Sequence, residues 1–210
     1  MRKILPVLIL CAVLLTACGG STESKYTPPG PTTTQRWNTP PAMQIDTSKT
    51  YYATVTTNLG AFKIQLFANE TPNTVNNFVF LADHGFYTNI IFHRILKTFM
   101  VQTGDPSGTG SSGPGYRFND ELPPKHSYDA GIVAMANAGA NTNGSQFFIC
   151  TGPDAANLNG FPNYTQFGKV VSGMDVVQNI AAVPVGPNNQ GEVSSPVNPP
   201  YITKIVISNQ

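Results

Sequence analysis

The order of apolar and polar residues predicts a β-rich domain that begins near Tyr51. Residues 51–57 and 61–67 are strand-like, and the Asn-Leu-Gly sequence at 58–60 between them is typical of a hairpin turn. Short apolar runs later in the chain favour further strands at 90–96, 99–103, 131–136, 146–151, 167–171 and 201–207. Many short strands of this kind are typical of barrels.

Two stretches follow the helical period instead. Thr71 is suited to cap a first helix, Pro72 suits its first turn, and Gly85 is expected to end it. A second helix is expected to begin around Ser172 and to end before Pro184. The inward positions are Val75, Phe78, Val79 and Ala82 in the first helix and Val176, Val177, Ile180 and Ala181 in the second. The predicted fold is mainly β, a closed antiparallel barrel capped by two α-helices.

The first residues have the pattern of an export signal. Arg2 and Lys3 precede an apolar run at 4–15, which is shorter than the roughly 20 residues that cross a bilayer. The Leu-Thr-Ala sequence at 15–17, followed by Cys18, resembles the lipobox of bacterial lipoproteins, in which this cysteine is acylated after cleavage. Cys18 is therefore the predicted lipidation site. Ordinary signal cleavage beside an incidental cysteine is the alternative.

These features divide the chain into three predicted parts. Residues 1–17 are the lipoprotein signal peptide, and residues 18–49 are the lipidated cysteine with a flexible tether rich in proline and threonine. Residues 50–210 are the folded domain. Trp37, the only tryptophan, falls in the tether and is expected to have no role in a site. The protein is expected to be exported and anchored by lipid to a bacterial membrane, with its domain on the extracytoplasmic side.

Composition narrows the range of partners. Charged residues make up 11% of the chain, against a usual value of about 25%. Removal of residues 1–17 takes away two of the 12 basic side chains and leaves 11 acidic ones, so the net charge is about −1. This balance argues against nucleic acid as a partner. Cys150 is the one thiol left, and its apolar surroundings predict a buried, inert side chain.

Three motifs point to a known family. The first is the Phe-His-Arg-Ile sequence at 92–95 with the Phe-Met-Val-Gln-Thr-Gly-Asp-Pro sequence at 99–106. The second runs from Met135 to Ile149, and the third combines Leu-Asn-Gly at 158–160 with Phe-Gly-Lys-Val at 167–170. In this order and spacing they resemble cyclophilins, over roughly residues 51–207. The resemblance implies an eight-stranded barrel, peptidyl-prolyl cis–trans isomerase activity, no cofactor, no metal and a monomer.

The resemblance also assigns residues. It implies that Arg94, Phe99 and Gln102 serve catalysis. It implies substrate binding by Met100, Gly108, Ala136, Asn137, Ala138, Gln146, Phe148, Leu158 and Tyr164. Tyr164 stands where many members carry a histidine, and Asn157 stands where many eukaryotic members carry a tryptophan. Without the resemblance, Arg94 fits a surface position on a strand edge, and the pattern does not separate core from pocket among the apolar residues.

Other chemistries find no support in the sequence. His84, His93 and His126 lack metal-ligand spacing, and His93 is expected to be a satisfied structural histidine. The glycine-rich stretch at 104–115 lacks the Gly-Lys-Ser/Thr ending of a phosphate loop, and no Gly-x-Ser-x-Gly elbow occurs. The expected substrates are proline-containing segments of exported, unfolded proteins. The main alternative is a module that binds such segments with incidental turnover; a lipid-anchored solute-binding protein is a weaker alternative, because such proteins are usually larger and two-lobed.

Overall fold

The largest element of the structure, a computed structural model that describes residues 27–31 and 35–210, is an antiparallel β-sheet. Within those residues the strands are β1 (Tyr51–Thr57), β2 (Gly60–Leu66), β3 (Arg94–Leu96), β4 (Met100–Thr103), β5 (Ile132–Met135), β6 (Phe147–Cys150), β7 (Gln166–Ser172), β8 (Val185–Pro187), β9 (Val193–Pro196) and β10 (Ile202–Asn209). The helices are α1 (Pro72–Asp83), α2 (Met174–Ala181) and a 3₁₀ helix at Pro153–Gly160. Eight strands form one sheet in the order β10-β1-β2-β7-β5-β6-β4-β3, and β8 pairs with β9 as a separate hairpin.

The large sheet is an open half-barrel, so the prediction of a closed barrel was wrong. Its end strands β3 and β10 are not paired with each other. The segment before β3 meets the start of β10 through a bridge between Ile91 and Tyr201 and through backbone hydrogen bonds from Asn89 to Ile202, from Ile202 to Ile90 and from Phe92 to Pro200, at 2.7, 2.9 and 2.8 Å. The strand predicted at 90–96 forms only over three residues, which is too short to pair along β10. Both predicted α-helices are present, and the 3₁₀ helix is an additional element.

The main core joins one face of the sheet to both α-helices. Alternate residues of β1 and β2 are buried there, as the period of two side chains in a strand requires. The predicted inward stripe of α1 is buried at Val75, Phe78, Val79 and Ala82, and that of α2 at Val177, Ile180 and Ala181. The helical predictions are therefore confirmed at the level of which side faces the core.

The first turn of α1 is capped differently from the prediction. The Thr71 hydroxyl donates to the Gln166 carbonyl at 3.2 Å and makes no capping bond within the helix. Instead, the Glu121 carboxylate accepts hydrogen bonds from the amides of Asn73 and Thr74, at 3.1 and 2.9 Å. A negative group at a helix N-terminus satisfies amides that have no partner within the helix. This contact also ties α1 to the segment that follows the glycine-rich stretch.

Part of the predicted tether lies against the domain. Ile45 is buried in the main core, and its amide and that of Gln44 donate to the Asn76 side-chain oxygen at 3.3 and 2.8 Å. The Trp37 amide donates to the Pro114 carbonyl at 2.8 Å. The expectation that residues up to 49 form a flexible tether is therefore wrong for the stretch from Trp37 onward, because apolar side chains in it are covered by the domain.

Trp37 packs into an aromatic notch at the end of α1. Its ring lies 5.1 Å from that of Phe80, 5.8 Å from that of His84 and 6.1 Å from that of Phe86, between ring centroids.

No helix in residues 27–31 and 35–210 is long and apolar enough to cross a bilayer. The apolar run at 4–15 and Cys18 lie outside the described residues.

We expect Trp37→Ala to lower the free energy of unfolding by about 2 kcal/mol, since it removes a half-buried aromatic side chain from this notch. Urea unfolding followed by far-UV circular dichroism measures the loss. Trp37→Phe keeps the aromatic contact and is expected to retain most of the stability. An unchanged free energy of unfolding in Trp37→Ala would show that the packing of this segment contributes nothing.

Candidate active site

Arg94, Gln102 and Phe148 lie side by side on three neighbouring strands. The register pairs Arg94 on β3 with Gln102 on β4, and Gln102 in turn with Phe148 on β6. Residues directly opposite each other in antiparallel strands point to the same face of the sheet. The structure therefore brings together three residues that the motifs assign to one site.

This face carries an apolar cluster that is separate from the main core. Met100 and Phe148 are buried in it, and Phe99, Leu158 and Tyr164 are half-buried at its edge. We call these five residues the apolar slot. Their strand neighbours in β4 and β6 point the other way, into the main core. The rings of Phe148 and Tyr164 meet edge to face with centroids 5.5 Å apart, so the slot has aromatic walls that remain partly open to a ligand.

Tyr128 lies beneath the slot and holds two of its walls. Its hydroxyl donates to the Tyr164 carbonyl at 2.6 Å and accepts from the Tyr164 amide at 3.3 Å. Its amide donates to the Asn159 side-chain oxygen at 3.0 Å, in the 3₁₀ helix that also carries Leu158. Burial raises the pKa of Tyr128 to about 12, so the hydroxyl stays protonated and remains a donor.

We expect Tyr128→Phe to lower the free energy of unfolding by about 1 kcal/mol, because the partly buried Tyr164 carbonyl loses its donor. The looser Tyr164 is expected to raise KM for a proline-containing peptide several-fold with little change in kcat. Tyr52→Phe on β1 is the matched control and is expected to change neither KM nor kcat. Equal KM values for wild type and Tyr128→Phe would contradict a supporting role for Tyr128.

Cys150 also lies under the slot. Its side chain is buried and unpaired with any other cysteine in the described residues. Burial raises the pKa of the thiol to about 12, with the nearby Asp129 carboxylate adding to the shift. A thiol with such a pKa stays protonated at neutral pH and is a poor nucleophile. The prediction that Cys150 is buried is confirmed, and the raised pKa agrees with the prediction that the thiol is inert.

A polar cavity of about 740 Å³ adjoins the slot at Gln102. The predicted residues among its walls are Gln102, Ala136, Asn137, Ala138 and Gln146, and the other lining residues are Arg36, 110–117, Thr142, Gly144 and Ser145. The side-chain NH₂ group of Gln102 donates to the side-chain oxygen of Gln146 at 3.0 Å. The side-chain NH₂ group of Gln146 donates to the backbone carbonyl of Ser112 at 2.9 Å. The two glutamines thus connect the floor of the cavity to the glycine-rich loop at its rim.

The glycine at the cavity rim is not the predicted one. Gly110 and Gly113 line the cavity, whereas Gly108 lies against Ile91, where an added Cβ would come within 2.9 Å of the isoleucine Cδ1. Gly108 does not line this cavity, and its assignment to substrate binding stays a prediction. The loop alternates glycine with small polar residues, and such a pattern fits several registers equally well.

The Asp105 carboxylate organises the glycine-rich loop from below. The residue is 1% exposed, and its Oδ1 accepts from the Ser107 amide at 2.7 Å. Its Oδ2 accepts from the backbone amides of Thr109, Gly110, Ser111 and Ser112. Burial alone raises the pKa of Asp105, but the hydrogen bonds from Ser107 and the loop amides outweigh it, so the pKa lies below its ordinary value. The aspartate is charged at neutral pH and holds the loop in one shape.

Arg94 has a partner that sequence reasoning missed. Its Nε donates to the Glu192 Oε2 and its Nη2 to the Oε1, both at 2.7 Å. Its Nη1 lies 4.0 Å from the Met100 sulfur, a wall of the apolar slot. The hydrogen bond from Arg94 lowers the pKa of Glu192 to about 2, so the pair is charged on both sides at neutral pH. The guanidinium therefore stands at the edge of the slot.

His93 differs from its expected satisfied state. Both ring nitrogens are buried, and neither has a hydrogen-bond partner among the described residues. Burial lowers the pKa of His93, and the Arg94 charge lowers it further, against an opposing effect of Asp105. The ring is neutral at physiological pH. No group of three His, Cys, Asp or Glu side chains in residues 27–31 and 35–210 is placed to hold a metal ion.

Comparison with known proteins gives a consistent result. The family model for cyclophilin type peptidyl-prolyl cis-trans isomerases matches residues 52–206. A peptidyl-prolyl cis-trans isomerase-like 1 of Neurospora crassa is 48% identical over 135 residues, which cover 62% of this chain and 80% of that protein. A peptidyl-prolyl cis-trans isomerase of Arabidopsis thaliana, CYP18-2, is 45% identical over 135 residues, with the same coverage of 62% and 80%.

Solved structures agree with the sequence relatives. A crystal structure of a Cryptosporidium parvum cyclophilin type isomerase superposes with a TM-score of 0.66 at 35% identity, covering 77% of this chain and 99% of that one. A second structure of that protein, in the presence of the dipeptide Ala-Pro, gives a TM-score of 0.65 over 76% and 99%. Since the family model spans most of the chain and the fold agrees, this protein belongs to the cyclophilin-type peptidyl-prolyl cis-trans isomerases.

Proposed function

We propose that Arg94 and the apolar slot carry out the isomerase activity of this chain, on proline-containing segments of exported proteins. The observation that carries the proposal is the position of the guanidinium. Its Nη1 lies 4.0 Å from the Met100 sulfur, at the edge of a slot with aromatic walls. A permanent cation beside an apolar pocket suits a reaction in which the pocket holds a proline ring while the electron distribution of the peptide bond before it changes.

The reaction needs a twisted peptide bond. Rotation about an ordinary peptide bond is opposed by about 18–20 kcal/mol, because the nitrogen lone pair is delocalised into the carbonyl group. In the twisted state the lone pair returns to the prolyl nitrogen, which becomes a hydrogen-bond acceptor. Arg94 donates to this nitrogen or to the adjacent carbonyl oxygen, and so favours the twisted state over either planar isomer.

The apolar slot orients the proline ring and excludes water from the reacting bond. Phe99, Met100 and Phe148 grip the pyrrolidine ring, so that the carbonyl before proline swings while the ring stays still. Apolar walls also exclude water, which strengthens the electrostatic effect of the arginine at the reacting atoms. The polar cavity beyond Gln102 receives the residues next to the proline in the substrate. The Cryptosporidium relative examined in the presence of Ala-Pro supports this choice of substrate.

An exchange experiment tests the activity and its location together. Two-dimensional NMR exchange on an Ala-Pro peptide is expected to show cis and trans signals interconverting far faster with catalytic amounts of the protein than without it. Uncatalysed exchange takes tens to hundreds of seconds, so the contrast is large. Line broadening of the peptide without faster exchange would mean that the groove binds proline segments and does not isomerise them, which would refute the proposed role of the site.

We propose further that the protein is exported and held at the extracytoplasmic side of a bacterial membrane by acylated Cys18, as a monomer. The charged start, the apolar run at 4–15 and the Leu-Thr-Ala-Cys sequence support this location. The test is expression of the full chain in bacteria fed a labelled fatty acid. The wild type is expected to carry the label and to sediment with membranes, and Cys18→Ser to carry none. Label retained in Cys18→Ser would exclude acylation at this position.

A further inference from the structure

The carboxylate of Glu192 grips one edge of the Arg94 guanidinium. Two hydrogen bonds of 2.7 Å, from Nε and Nη2, join residues that lie 98 positions apart in the chain. Two parallel charge-assisted bonds fix the plane of a guanidinium as well as its position. Because Nε and Nη2 are the donors used, the Nη1 edge is the one left toward Met100 and the apolar slot.

The turn between β8 and β9 is built to hold this carboxylate. The side-chain oxygen of Asn188 accepts hydrogen bonds from the backbone amides of Gln190 and Glu192 at 2.9 and 3.0 Å. The backbone amide of Asn188 donates to the backbone carbonyl of Glu192 at 2.8 Å. Gly191 adopts a φ of +84°, which favours glycine. The side-chain NH₂ group of Asn188 also donates to the hydroxyl of the buried Ser194 at 3.3 Å. The backbone of Glu192 is thereby fixed before any substrate arrives.

We infer that Glu192 is a positioning residue for the isomerase reaction: it holds Arg94 with its Nη1 edge turned toward the prolyl nitrogen. An unpaired arginine side chain samples many rotamers, and ordering it costs conformational entropy. With Glu192 in place, that ordering is complete in the free enzyme. The inference rests on the proposed role of Arg94.

A competing view gives the pair a different meaning. The carboxylate could serve only to fasten the β8–β9 hairpin to β3, with no effect on the reaction. It could also weaken the arginine, because a neighbouring negative charge opposes its effect on the substrate. The three views differ in what happens to kcat when the carboxylate is removed, so kinetics on the folded protein separates them.

The test compares Glu192→Ala, Glu192→Gln and Glu192→Asp with wild type on an Ala-Pro peptide by NMR exchange. We expect Glu192→Ala to lower kcat about tenfold with KM nearly unchanged, which corresponds to the loss of one pre-ordered interaction. Glu192→Gln is expected to fall between, since its amide offers one acceptor and one mismatched donor. Glu192→Asp is expected to recover part of the loss. Glu70→Gln, which alters the 3.1 Å contact between the Glu70 carboxylate and the His126 ring instead, is the matched control and is expected to keep full activity.

Two further readouts exclude a merely structural effect. In wild type the Arg94 Nε–H signal in a ¹H–¹⁵N spectrum is expected to be sharp and shifted by the carboxylate, and to broaden in Glu192→Ala. In an Arg94→Ala background, Glu192→Ala is expected to cause no additional loss of kcat. Should Glu192→Ala fail to fold, the Gln and Asp variants carry the same comparison.

The outcomes are distinguishable from failure of the proposed function. If wild type and Glu70→Gln are inactive, the role of Arg94 and the slot is wrong. If wild type is active and Glu192→Ala has an unchanged or raised kcat, the positioning inference is overturned while the proposed function stands. A loss of the same size in the Arg94→Ala background would likewise overturn it.

Discussion

Replacing Arg94 by alanine is expected to lower kcat/KM for an Ala-Pro peptide by about 100- to 1,000-fold, the range found when one donor to a developing charge is removed from an active site. The physical reason is that the variant loses the proposed donor to the twisted bond, whose Nη1 lies 4.0 Å from the Met100 sulfur at the slot. The fold is expected to survive, because Arg94 and Glu192 are each about one third exposed and water solvates the carboxylate left behind. NMR exchange gives the rate, and urea unfolding gives the free energy of unfolding.

Two variants control this prediction. Lys97→Ala removes an exposed cation three positions downstream and is expected to keep full activity. Arg94→Lys keeps the charge but lacks the planar fork that Glu192 grips, so its activity is expected to fall between wild type and Arg94→Ala. If Arg94→Ala kept the wild-type kcat/KM, Arg94 would have no role in the reaction.

The Asp105→Asn variant is expected to lose about 3 kcal/mol of unfolding free energy at pH 7, in the range measured for breaking a buried charged interaction. The aspartate is 1% exposed, and its Oδ2 alone accepts four loop amides. An asparagine places an NH₂ group against some of those donors, so buried groups lose their partners. The loop that lines the polar cavity then loosens, and KM is expected to rise. Asp129→Asn at an exposed position is the matched control.

The cost of Asp105→Asn is expected to depend on pH. The pKa of Asp105 is lowered from 3.8 in the folded protein, so the native state binds the proton less readily than the unfolded chain does. Its stabilisation is therefore fully present above about pH 4 and is lost as pH falls through the folded value. Urea unfolding at a series of pH values from 7 to 2 measures this. A difference between wild type and variant that stays constant down to pH 2 would contradict the assignment.

The family predicted from three motifs is confirmed, and the reason lies in the local nature of the signal. Arg94, Phe99, Met100 and Gln102 fall within one short stretch, and a hairpin brings them to one face whatever the rest of the chain does. Periodicity alone could not have divided apolar residues between core and slot. Val101 and Met100 are both buried, yet they belong to clusters on opposite faces of the sheet.

The missed features all depend on distant contacts. The β8–β9 hairpin contains Pro187 and Pro196 and little apolar alternation, so its strands give a weak pattern. Glu192 meets Arg94 across 98 positions, and only the Asn188-to-Gly191 turn sequence hinted at an ordered loop there. The packing of Trp37 was hidden because a proline-rich composition is typical of linkers whether or not the segment finds a docking surface.

The packing of Trp37 against the domain shortens the part of the chain that can act as a flexible tether. If Cys18 carries the proposed lipid, only the stretch up to Arg36 separates the anchor from the globule, a reach of at most roughly 60 Å. Arg36 itself borders the polar cavity, so the proposed tether to the bilayer would join the domain beside the groove. A nascent polypeptide emerging at the membrane would then encounter the catalytic side of the molecule first.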